Sequence, residues 1–199
     1  MKETILKKAT EMFLLLGFKS VTMDDIAAEL GISKKTIYQH FANKNDLVEG
    51  SSNYLFDTIA GGIDTICQID QSPIKEFFVV RQFLQQALNH DAVSPDYQLQ
   101  KFFPKIFACL RTKQFEKLHS CMLNNLQRGV NEGLYRADLN IEFTARIYFT
   151  GITGIKDADI FPRAIYNMEL LTRQYLEYHL RAIVSEKGLE ELTKTIAEK

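Results

Sequence analysis

Three helix starts crowd into one short stretch near the N-terminus, and that crowding constrains the fold more than any other feature of the chain. Thr22 precedes an apolar helical pattern and is followed three residues later by Asp25, the spacing of a capping box. Ser33 stands before Lys34-Lys35-Thr36-Ile37-Tyr38, and Asn43 stands three residues before Asp46. A helix from about Glu3 to Leu16 leads in, with Ile5, Leu6, Ala9, Met12, Phe13 and Leu16 on one face. Gly17 stops it and Phe18 folds back toward the core. The helix capped by Thr22 turns Ile26, Ala27 and Leu30 inward and ends at Gly31. The next runs from Ser33 to about His40. Helices this short cannot hold themselves, so they must share one centre, filled by Ile32, Ile37 and Phe41.

The rest of the chain keeps the helical period and shows no alternating strand pattern, which predicts an all-α fold. The fourth helix continues from Asn43 to about Ile63, and Gln68 to Ser72 reads as a loop. Further helices are expected over Pro73–Asn89, Pro95–Thr112, Lys113–Glu132, Ile141–Lys156, Pro162–Ser185 and Leu189–Lys199. Ser72-Pro73, Ser94-Pro95 and Phe161-Pro162 place proline near a first helical turn, where its missing N–H costs nothing. The expected organisation is a three-helix helix-turn-helix module over residues 1–47 and a larger helical domain over 48–199, joined by a linking helix at about 43–63.

The segment Gly31 to Phe41 carries its core residues on one side and lysines and small hydroxyl side chains on the other. Such a helix suits the major groove of DNA. No acidic residue occurs from Ser33 to Asn45, so this face is locally positive although the whole chain has net charge −1. Lys34, Lys35, Thr36 and Gln39 can meet bases. Tyr38, His40 and Lys44 can meet phosphates, together with Thr22, Ser33 and the backbone N–H groups at the starts of the helices capped by Thr22 and Asn43.

From about Ile5 to Leu47 the chain resembles the DNA-binding domain of the TetR family of transcriptional regulators. The residues that carry the resemblance are Ala9, Phe13, Gly17-Phe18, Thr22, Asp25-Ile26-Ala27, Gly31-Ile32-Ser33, Thr36-Ile37-Tyr38, His40-Phe41, Lys44 and Leu47. The resemblance implies a dimeric regulator with two helix-turn-helix modules and a divergent helical ligand-binding domain. Lys35 departs from the pattern, standing where many members have glycine and adding a positive charge at the groove.

In the larger domain, the helix from Ile141 is apolar around most of its circumference, leaving only the stripe Glu142, Arg146, Thr150, Thr153 and Asp157. It and the helix from Pro162 are the expected dimer elements, through Tyr148, Ile152, Ile155, Met168, Leu171, Tyr175, Tyr178 and Ala182, with Gly151 and Gly154 allowing close approach. Aromatic residues concentrate between them and the N-terminal module. Phe77, Phe78, Phe103, Phe107 and Phe115, with Arg81 inside an apolar stripe, form the expected pocket for an unknown small-molecule effector, apolar or amphiphilic. Arg81 has three alternatives: reaching solvent, pairing with an acid such as Glu116, or meeting an anionic head group.

The expected partners are therefore a double-stranded DNA operator, a second copy of the chain and that effector, with neither a cofactor nor a membrane. A hydrophobic content of 46% over 199 residues supports a substantial core. Cys67, Cys109 and Cys121 are odd in number and widely spaced, which predicts buried thiols in a reducing compartment. His119 and Cys121 are only a fragment of a metal site. With no leader pattern or membrane-length apolar run, the expected location is cytoplasmic. His40, His90, His119 and His179 are dispersed and no nucleophile or phosphate-loop motif occurs, which argues against an enzyme. The function expected is a ligand-responsive repressor on a palindromic operator. The alternatives are an activator, or a chromosome-organisation or division factor without an effector.

Overall fold

A computed structural model describes residues 1–88 and 95–198. Asn89, His90, Ser94 and Lys199 lie outside the described residues. Among the latter the elements are α1 (Lys2–Leu16), α2 (Met23–Leu30), α3 (Lys34–Tyr38), α4 (Lys44–Cys67), α5 (Pro73–Leu88), α6 (Pro95–Phe102), α7 (Pro104–Asn131), α8 (Ile141–Gly154), α9 (Met168–Ile183) and α10 (Glu186–Ala197). The fold is all-α. The nearest approach to a strand among the described residues is one isolated antiparallel bridge between Tyr135 and Val184.

Side-chain caps set most of these boundaries. Thr22 and Asp25 form the reciprocal capping box, Ser33 accepts the Thr36 N–H, and Asn43 accepts the Asp46 N–H at 3.0 Å. The differences from expectation have local causes. The helix expected over Pro95–Thr112 breaks at Phe103 because Pro104 offers no N–H and disfavours helical geometry in the residue before it. The chain then runs unbroken through Thr112 and Lys113. Helix α9 starts at Met168, not at Pro162, because the Asn167 side chain accepts the Leu170 N–H at 3.0 Å. Ser185 likewise accepts the Gly188 N–H and starts α10 before Leu189.

The chain forms two compact units. The first comprises Met1–Gly62 and Ala87–Gln114, the second Ile63–Gln86 and Phe115–Lys199. In the first, Ile5, Phe13, Ile26, Ile37 and Leu47 are almost wholly buried, and Leu99 of α6 and Leu110 of α7 belong to the same cluster. The Phe13 and Phe18 rings stack at 5.1 Å, and Phe103 meets Phe18 edge-on. Gly17 has φ of 90°, a conformation that favours glycine, and the Gln98 amide lies over the space a Cβ would enter.

The second unit centres on Ile74, Leu126, Tyr135, Leu176, Leu180 and Leu192. A polar network runs through this core. Glu76, only 4% exposed, accepts from the Asn125 amide at 2.7 Å and pairs with Arg128. The Tyr135 hydroxyl donates to Asn125 Oδ1 at 3.0 Å, and burial pushes its pKa well up. Close packing also joins α8 to α9. The Tyr175 hydroxyl donates to the Tyr148 carbonyl at 3.0 Å, and its ring occupies the space a side chain on residue 151 would need.

Candidate nucleic-acid interface

Gly31 adopts the left-handed conformation (φ 63°) and donates its N–H back to α2, which turns the chain sharply into Ser33. Ile37 then pins α3 to the core while Lys34, Lys35, Tyr38, Gln39 and His40 remain exposed. Helix α3 is shorter than expected, ending at Tyr38, but the turn continues through His40 with Gln39, His40 and Phe41 N–H groups bonded to Lys35 and Ile37 carbonyls. Tyr38 is 45% exposed.

The nine residues expected at DNA are not equally available. Lys35 has no ion-pair partner among the described residues. Lys34 is paired with Asp24 at 2.8 Å, a hydrogen bond that raises its pKa, and its ammonium sits 5.9 Å from the Tyr38 ring centre. Lys44 donates to the Lys19 carbonyl at 3.0 Å, and burial lowers its pKa against the pull of Asp25. Ser33 and Thr36 bond to one another, hydroxyl to hydroxyl at 2.8 Å. Thr22 gives both its N–H and its hydroxyl to Asp25, whose carboxyl is held below the usual carboxylate range by those two bonds, backbone first. Thr22 thus closes α2 locally before any phosphate arrives. Asp24 was not legible as part of this face, since only the fold brings α2's first turn against α3's.

The residues expected at the effector separate. Phe103 and Phe107 pack in the first unit's cluster, whereas Phe77 and Phe78 are buried in the second's. Phe115 lies 5.2 Å from the His119 ring and 5.4 Å from the Arg146 guanidinium. Arg81 does not pair with Glu116, and its Nε is buried with no hydrogen-bond partner among the described residues. His119 has its Nε2 3.1 Å from Glu142. None of the thiols is fully buried as expected: Cys67 and Cys121 are half-buried and Cys109 is exposed.

The eight residues expected at the dimer face also divide. Leu171 and Ile155 are buried within the chain, and Tyr148 and Tyr175 pack against His179. Ile152 and Met168 are half-buried, while Tyr178 and Ala182 point out, Tyr178 being 72% exposed. Phe143, Ile147 and Leu170 are exposed too, and sequence reading passed them over. Phe143 and Ile147 stand one helical turn apart, a spacing that could have revealed them. Among the described residues no helix is long and apolar enough to cross a membrane.

A short helix pinned by Ile37, preceded by a glycine turn and offering Lys35, Tyr38, Gln39 and His40 to solvent, is the arrangement of a helix-turn-helix DNA-binding regulator. Residues 5–50 match the family described as bacterial regulatory proteins, tetR family. The chain is 26% identical to the HTH-type transcriptional repressor KstR2 of Mycolicibacterium smegmatis over 94% of its own length and 92% of that protein's. Its fold is shared with KstR2 of Mycobacterium tuberculosis, at 20% identity and a TM-score of 0.55, covering 93% of this chain and 95% of that one. A TetR-family regulator from Cytophaga hutchinsonii shares it at 16% identity and a TM-score of 0.72, covering 94% and 96%. Residues 5–50 thus match the DNA-binding part of the tetR family, and over most of its length the chain is similar to TetR-family regulators.

Proposed function

We propose that this regulator is a repressor that binds a palindromic operator as a dimer and is released by an apolar or amphiphilic small molecule. The observation that carries the reading is the acid-free segment from Ser33 to Asn45, presented on α3 and the start of α4 with Lys35 unpaired among the described residues. On this reading DNA is bound within residues 1–47, and effector binding and dimerisation fall within 48–199. Two recognition helices must lie about 34–36 Å apart to read successive major grooves on one side of DNA, so a dimer is required. Support for its location comes from the exposed apolar residues Phe143 and Ile147 on α8 and Leu170 and Tyr178 on α9.

The effector binds a conformation with a different spacing of the recognition helices, so operator affinity falls as the populations shift. Helix α4 is the coupling element, because it contributes residues to both units. The effector reading draws on the unpartnered Arg81 Nε, one turn from Phe77 on α5. KstR2 of Mycobacterium tuberculosis is described as a ketosteroid transcriptional regulator, a description consistent with an apolar ligand class.

Two experiments test the reading. Lys35→Ala and Tyr38→Phe are each expected to weaken binding to a duplex enriched from a randomised pool by the native protein, with far-UV circular dichroism unchanged. Unchanged affinity in both variants refutes the face assignment. Footprinting on the chain's own upstream region, repeated with fatty acids and aromatic acids, tests the release step. If no acid alters the footprint or the melting temperature, the anionic form of the effector reading fails.

A further inference from the structure

A carboxylate beside a surface that must approach a polyanion demands a reason. Helix α2 carries three acids, and each has a cation or a cap. Asp25 completes the box with Thr22, Glu29 lies 3.5 Å from Lys8, and Asp24 lies 2.8 Å from Lys34. The cap is therefore complete without Asp24. Its partner is the first residue of α3, and that partner's ammonium in turn sits over the Tyr38 ring. Both Asp24 and Lys34 are exposed, so the pair stands within reach of a phosphate.

We propose that Asp24 sets the ratio of specific to non-specific DNA binding, by holding Lys34 away from indiscriminate phosphate contact and, through Lys34, positioning Tyr38. The proposal rests on α3 facing DNA. Non-specific binding is driven by release of counterions from phosphates, and each added cation steepens the dependence of log affinity on log salt by about 0.9. A lysine freed from its acid strengthens binding to every duplex alike. Specificity comes from side chains held in register with base edges, and loosening Lys34 over Tyr38 works against that register. Asp24 thus keeps Lys35 as the unpaired cation of α3 among the described residues, and trades some total affinity for discrimination.

The test uses the full chain and two duplexes of equal length, one enriched from a randomised pool by the native protein and one scrambled. Fluorescence anisotropy is read from about 50 to 200 mM salt, the range over which one extra phosphate contact changes affinity about threefold. Asp24→Asn is expected to bind the scrambled duplex roughly threefold to tenfold more tightly at the low end, with a slope steeper by about 0.9. Affinity for the enriched duplex should rise by a smaller factor, so the ratio falls. Adding Lys34→Met to Asp24→Asn is expected to abolish the gain. An equal change on both duplexes overturns the proposal, as does a gain that survives Lys34→Met. Lys35→Ala separates the two levels. If it and Tyr38→Phe both leave enriched-duplex binding intact, the DNA face itself is misassigned. If it weakens binding while Asp24→Asn leaves the ratio unchanged, only the role of Asp24 falls.

Discussion

Replacing Arg128 by methionine should strand a charge inside the second unit. Glu76 is buried, and its carboxylate rests on Arg128 and on one amide hydrogen from Asn125. Methionine keeps much of the apolar stem but leaves that carboxylate with the Asn125 bond alone. Removing one member of a buried ion pair typically costs about 3–5 kcal/mol. The Arg128 side chain is 30% exposed, so water already weakens the pair and the lower end applies, about 3 kcal/mol. For a chain of this length each kcal/mol moves the melting temperature by about 2–4 °C, so the expected fall is roughly 6–12 °C. Thermal and urea unfolding followed by circular dichroism would measure it. The double variant Glu76→Gln with Arg128→Met strands no charge and should recover at least half of the loss, because the introduced amide oxygen can still accept from Asn125. A single-variant loss below about 1 kcal/mol would refute the argument, and so would a double variant no more stable than the single one.

Two further outcomes follow from the same unit. Burial pulls the His179 pKa down to about 4, so the folded state resists protonation that the unfolded chain accepts near 6.5. The unfolded state therefore holds more protons between those values, and stability should fall as pH drops from about 6.5 to 4, by about 3 kcal/mol in all. His179→Phe should flatten that slope in melts taken across the window, and an unchanged slope would exclude His179 as its source. Tyr178→Asp should shift the protein from dimer toward monomer in sedimentation, weakening association by about 30-fold if Tyr178 is a central anchor worth roughly 2 kcal/mol. An unchanged dimer would move the interface elsewhere.

The N-terminal helices were legible because their signals are local. Thr22 with Asp25, Ser33 with Thr36 and Asn43 with Asp46 each close within three residues, so the sequence writes the start beside the helix it starts. The Pro104 break is equally local, but a strong helical period on either side masks it. Other features depend on contacts that no periodicity encodes. An amphipathic stripe says that Phe103 and Phe107 are buried, not which core buries them. It marks Leu171, Tyr175 and Tyr178 as one apolar helix, but not that Leu171 is buried while Tyr178 stays outside, nor that Tyr175 reaches the Tyr148 carbonyl of α8. The lysines of α3 were equally plain, whereas the acid that claims Lys34 lies ten residues away on another helix.

Leu99, Phe103 and Leu110 give the first unit a consequence for engineering. The cluster that seats α3 draws part of its substance from segments encoded well downstream of the helix-turn-helix. A chimera that grafts only the first 62 residues onto another sensor would leave the stacked Phe13 and Phe18 without the Phe103 edge against them. The transferable reading head is thus discontinuous in sequence. A working hybrid must bring α6 and the opening turns of α7 along with it, and a ribosome must finish those turns before the head has its full core.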